Sequence, residues 1–183
     1  MGCDIHLKTF VFSKVENKFV PASGICEDFE YSKFPAIVGD RNYDLFGLFG
    51  NSARSYYPEL DCFEFDDCPE EIKNTAIYKY SKEIDYHTHR WCYADKLVKS
   101  LGEYTERLLD PQKWRDYYDD EDDFIQDVID GKVSKKKYQE LHLGVVTSIY
   151  DLTKKIIDVK DHLSTYSKYI DIDKIIFLTW MDN

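Results

Sequence analysis

Leu141, Val145, Ile149, Leu152, Ile156, Val159 and Leu163 follow one another at steps of three and four residues. That spacing draws one apolar stripe along a helix, so residues 134–163 are expected to hold a long helix that lies against a core. His142 and His162 fall off the stripe and are expected to be plain surface residues, while Gly144 offers a point of close packing. A second constraint stands at the end of the chain, where Ile175-Ile176-Phe177-Leu178-Thr179-Trp180-Met181 is apolar almost without a break. A run of that kind suits a strand covered on both faces.

Residues 3–12 are rich in β-branched and aromatic side chains and lack Gly and Pro, so they predict another strand. Residues 19–25 are expected to return beside it as a hairpin, with Pro21 and Gly24 weakening the pairing. Helical spacing of Leu97, Val98, Leu101, Tyr104 and Leu108 predicts a helix over 94–109, stopped by Asp110-Pro111. Shorter amphipathic helices are expected at 111–118 and 122–129, so that 94–165 is mainly helical. Between Cys26 and Asp67 the chain is rich in Gly, Pro and aromatic residues, with a short helix expected at 44–49. Irregular stretches of this length are often functional. Pro69-Glu70-Glu71-Ile72 has the form of a helix start. No repeat or linker divides the 183 residues. The expectation is a single α+β domain over 1–183: a small sheet with strands from both chain ends, a long C-terminal helix, several shorter helices and a loop-rich middle.

The formal net charge is −11 and the isoelectric point about 4.9. Such a chain repels duplex DNA and anionic membranes at long range, which excludes polymeric nucleic acid and a membrane surface as expected partners. No run is long enough to cross a bilayer and no signal peptide is visible. Met1-Gly2-Cys3 lacks the Ser or Thr at position six that myristoylation wants, because His6 stands there. The cysteines number five and form no CxxC pair, so a reducing cytoplasm fits best. The acidic run 119–123 lacks the glycine and spacing of a calcium loop and is expected to be a solvated helix start.

Chemistry concentrates in Asp85-Tyr86-His87-Thr88-His89-Arg90-Trp91. In an extended segment Asp85, His87 and His89 share one face, and Tyr86, Thr88 and Arg90 the other. The first strand carries a similar pair, Asp4 and His6. Side by side, the two segments bring together carboxylates and imidazoles that suit a divalent metal such as zinc, manganese or iron. They equally suit metal-free catalysis, with one histidine as base and another as acid. Two unrelated polar strand ends would give the same pattern. Three of the five arginines, Arg41, Arg54 and Arg90, lie in the middle of the chain, and the planar guanidinium favours phosphate or carboxylate.

The opening Met1-Gly2-Cys3-Asp4-Ile5-His6 resembles that of small proteins encoded widely in bacteriophage genomes. The resemblance continues in Arg41-Asn42-Tyr43 with Leu45-Phe46, in Arg54, and in Asp67-Cys68-Pro69-Glu70-Glu71, where the group carries a Leu-Pro-acid-acid turn. Asp85-x-His87-Thr88 with Trp91 is similar to the group's Asp-x-His-Ser-x-Ser-Trp, with Thr88 and Arg90 in place of the two serines. The apolar run into Asp182-Asn183 matches its ending, and residues 94–165 match loosely. The resemblance implies a phage setting in the host cytoplasm, and a shared site built from polar and aromatic residues; it carries no reaction with it.

Together these features point to hydrolysis of a small phosphate-bearing ligand, a nucleotide signal of host immunity by the phage setting. Asp4, His6, Asp85 and His87 would supply acid–base chemistry or hold a metal. Arg41 and Arg54 would hold phosphate, Tyr43 or Trp91 would stack on a base or sugar, and Asn42, Thr88 and His89 would line the site. A protein that sequesters the nucleotide intact is a second reading, since carboxylates also accept hydrogen bonds from ribose hydroxyls. A structural or host-interaction protein is a third.

Overall fold

The computed structural model describes residues 5–26, 43–50, 57–64, 68–82, 86–118 and 123–182. Four strands make one antiparallel sheet: β1 (Ile5–Ser13), β2 (Lys18–Pro21), β3 (Tyr86–Tyr93) and β4 (Ile170–Asp182). Their order is β2-β1-β4-β3, so the last strand lies in the middle, with the first strand on one side and the central segment on the other. β4 is longer than the apolar run alone predicts, because its polar first residues pair with the end of β1 beyond a shift in register at Val11/Phe12. The hairpin strand β2 is shorter than expected. It stops at Pro21, which cannot donate to a ladder, and Ala22–Gly24 turn into a single 3-10 helix.

Strand alternation sorts the side chains into two cores. On one face, Ile5, Leu7 and Val11 of β1 join Ile175, Phe177 and Met181 of β4 and Cys92 of β3. On the other, Phe10 and Phe19 join Ile176, Leu178, Trp180 and Trp91. This double covering explains the unbroken apolar sequence of β4, whose residues 175–181 are all at most 1–2% exposed.

The first face is covered by helices. α4 (Ala94–Leu108) follows β3 directly and buries Ala94, Leu97, Leu101, Tyr104 and Leu108. α5 (Pro111–Tyr118) begins at Pro111, and Asp110 caps it by accepting the backbone N–H groups of Gln112 and Lys113 at 3.1 and 3.4 Å. α6 (Asp123–Ile129) and α7 (Lys135–Leu141) lead to α8 (Leu143–Ser164), which packs on α4 and β4. α8 buries Val145, Ile149, Leu152, Ile156, Val159 and Leu163, each worth about 1.5–3 kcal/mol of apolar burial. α1 (Tyr43–Phe46) is seated on α8 by Leu45 and Phe46. It is shorter than residues 44–49 suggest, because 47–50 form turns.

The second face is covered by α2 (Glu70–Lys73), which supplies Ile72, and α3 (Ala76–Ser81), capped by Thr75, whose hydroxyl accepts from the Tyr78 N–H. No described helix is long and apolar enough to cross a membrane.

One helical expectation is corrected. Residues 134–163 are two helices, not one, because His142 leaves helical geometry at φ −94°, ψ 1°. Its ring packs edge-on against Tyr138 at 4.6 Å and takes a 3.2 Å hydrogen bond with the Tyr57 hydroxyl at Nδ1. In a Leu-His-Leu-Gly stretch of modest helix propensity, that aromatic packing outweighs helical continuity. Leu141 is turned outward, 61% exposed, so the buried stripe begins at Val145. Gly144 is exposed.

Candidate functional site

β1 starts immediately after Asp4 and β3 immediately after Asp85. Both enter the sheet beside the same end of β4: His6 is opposite Trp180, and His87 is opposite Met181. The two backbones are therefore separated by one strand, about 10 Å at the usual spacing. The two histidine-bearing segments, 81 positions apart in sequence, are therefore not side by side as expected: they reach the same end of the sheet with β4 between them. Asp4, Asp85, Arg41, Asn42 and Arg54 lie outside the described residues, and for Tyr43 and His87 only the backbone is described.

The side chains that are described have clear settings. His6 stacks on the Trp180 indole, with ring centroids 5.4 Å apart and planes at 12°, which places it on the face covered by α2 and α3. Thr88 has a left-handed φ of 56°, and the pairing shifts between His87 and Arg90, where β3 carries two residues against one on β4. This is a bulge. Simple alternation from 85 to 90 therefore does not hold, and His89 gives no guide to the face of His87.

Beyond the bulge, neighbours diverge. His89 Nε2 donates to the Ser81 carbonyl at the end of α3. Arg90 turns the other way. Its Nε and Nη2 donate to the two carboxylate oxygens of Glu59, the second at 3.2 Å, and its Nη1 donates to the His89 carbonyl at 3.0 Å. The side chains of this pair are 12% and 27% exposed. Its fork is engaged within the fold. Gly50, at φ +97°, sits against this pair: a Cβ there would lie 2.9 Å from Arg90 Nη2 and 3.0 Å from Thr88 Cγ2.

Trp91 is a correction. It is 5% exposed in the second core, edge-on to Tyr93 at 5.9 Å, and its buried Nε1 has no hydrogen-bond partner among the described residues. No face of the indole is left for a base or sugar to stack on.

Two histidines read as surface residues are also corrected. His142 is half-buried among Tyr57, Trp114 and Tyr138, and burial lowers its pKa. His162 Nε2 lies 3.3 Å from the buried Cys26 Sγ. The partners of these side chains are 85 and 136 positions away, so no local pattern announces them. Glu59, which holds Arg90, escapes sequence reading for the same reason. Among the described residues no three His, Cys, Asp or Glu side chains are placed to share a metal ion; of Asp4, His6, Asp85 and His87, only His6 has a described side chain.

The chain matches no protein-family model, no curated protein and no solved structure.

Proposed function

We propose that the chain hydrolyses a small phosphate-bearing ligand, a nucleotide, at the end of the sheet where β1 and β3 enter beside β4. The observation that carries this reading is the strand order: β1 and β3 both enter the sheet at the Trp180–Met181 end of β4, one on each side of it. Asp4 and Asp85 precede the two strands by sequence. In this reading the four residues perform acid–base chemistry or hold a divalent metal that activates water. Arg41 and Arg54 bind phosphate, with Asn42, Tyr43, Thr88 and His89 around the ligand. Carboxylates repel a phosphate unless a cation or bound protons intervene, so a site with two of them suits catalysis better than simple retention. By its resemblance to phage proteins, the ligand is a nucleotide signal of host immunity, met in the host cytoplasm.

The test is a panel of cyclic and linear nucleotides incubated with the protein, with and without EDTA, then released by heat and chromatographed. New products are expected, and His87→Ala is expected to abolish them while circular dichroism shows an unchanged melt. Recovery of intact nucleotide would replace hydrolysis by sequestration. Neither products nor retained ligand would overturn the nucleotide reading.

A further inference from the structure

Two cysteines that the proposed site does not use stand together on the opposite flank of β3. Residues 57–64 run beside β3, and Glu64 and Trp91 exchange both backbone hydrogen bonds, at 2.9 and 3.1 Å. Cys62 is two residues before this bridge and Cys92 one residue after it. One position off direct opposition, their Cα atoms lie about 6 Å apart by strand geometry, within the range of about 4.4–6.8 Å that a disulfide spans. Both side chains belong to the same core cluster. Both are free cysteines.

Their surroundings differ. Cys92 is fully buried, whereas Cys62 lines an open cleft of about 250 Å³ together with Asp61, Glu64, Lys96, Lys99 and Ser100. Burial pushes the Cys92 thiol well up. Cys62 is held below the ordinary value, chiefly by the hydrogen bond from Cys92, with Ser100 and its own backbone adding to it against the cost of burial. Lys96 at the cleft mouth is paired with Glu64 at 3.0 Å, and the neighbouring Asp61 carboxylate works against the lowering of Cys62. An acidic thiol at a solvent cleft with a second thiol behind it is the arrangement of a redox-sensing pair.

We propose that Cys62 and Cys92 form a peroxide-responsive dithiol in which Cys62 is attacked first and Cys92 resolves it. The Cys62 thiolate attacks a peroxide oxygen, the O–O bond breaks, and sulfenic acid forms as water or an alcohol leaves. The Cys92 sulfur then attacks the Cys62 sulfur, the S–O bond breaks, and hydroxide departs with the Cys92 proton as water. Two electrons pass from the thiols to the peroxide, and one disulfide remains. That bond pins residues 57–64 to β3, and with them the Glu59 carboxylate that holds Arg90, so oxidation fixes the strand that carries His87.

The test uses the folded, full chain exposed to hydrogen peroxide, quenched with an alkylating agent and mapped by non-reducing mass spectrometry. Cys68 is the internal standard, since burial raises its thiol to about 11 while Cys62 lies below the ordinary 9.0. Allowing for the lower nucleophilicity of the more acidic thiol, Cys62 is expected to react at least about 10-fold faster than Cys68. A Cys62–Cys92 cross-link reversed by dithiothreitol is expected in the native chain. Cys92→Ser is expected to stop at a Cys62 sulfenic acid trapped by dimedone, and Cys62→Ser to leave Cys92 reduced. Equal rates at Cys62 and Cys68, a cross-link that forms only after denaturation, or no dimedone adduct in a Cys92→Ser protein of unchanged melt would each overturn the proposal.

Discussion

At the scale of single residues, Thr88 and Gly50 set the geometry beside the proposed site. A β-branched residue at φ 56° is uncommon, because its side chain crowds the backbone there. It persists at a bulge that redirects His89 toward Ser81 and Arg90 toward Glu59. Gly50, at φ +97°, leaves room for that ion pair. Gly50→Ala combines an unfavourable φ with contacts near 3.0 Å to Glu59, Arg90 and Thr88. It is expected to lower stability by about 1–3 kcal/mol, seen as a lower urea midpoint at unchanged slope; an unshifted midpoint would mean the pair yields freely. None of this was legible from the sequence. Alternation describes a regular strand, and no composition signal marks where one extra residue enters it. Glu59 lies 31 positions from Arg90, too far for any local pattern.

At the scale of elements, what could be read and what could not divide cleanly. α4, α5 and α6, the Pro69 helix start and β4 follow from periodicity, caps and proline, because those signals act within a few residues. The break between α7 and α8 does not, since its cause is a pocket built by Tyr57, Trp114 and Tyr138 around His142. That junction has a pH dependence of definite sign. Burial lowers the His142 pKa from its ordinary 6.5, so the unfolded chain takes up the proton first. The resulting stability is complete above the unfolded value and is lost as pH falls through it toward the folded one. Melting temperatures at pH 7.5 and 5.5 are expected to fall further in the native chain than in His142→Phe, which keeps an aromatic ring but cannot be protonated. Parallel profiles would assign the loss to other groups.

At the scale of the whole molecule, the net charge of −11 on 183 residues works against compactness. Most of the described ion pairs are exposed, such as Lys136–Glu140 and Lys99–Glu103, and exposed pairs contribute little. Screening the excess acid is therefore expected to outweigh screening the pairs. The melting temperature should rise between low salt and about 150 mM sodium chloride, by about 2–4 °C for each kcal/mol gained. A flat or falling curve would show that specific pairs dominate instead. The α+β class and the strands from both chain ends were legible at this scale, because two apolar strands and a striped helix leave few ways to bury their surfaces. The expectation from a shared motif was that the His6 and His87 segments lie side by side; the strand order instead puts β4 between them and brings only their backbones to one end of the sheet.

The central placing of β4 has a mechanical consequence. Ile5 and Met181 are partners at one end of the β1–β4 ladder, and Ser13 and Ile170 close the other. A force drawing residues 5 and 181 apart loads the ladder one rung at a time, as a zipper is opened, and never shears it as a block. Once β4 peels away from residue 181, β1 and β3 lose their common neighbour together, so tension on that one strand undoes both of its ladders.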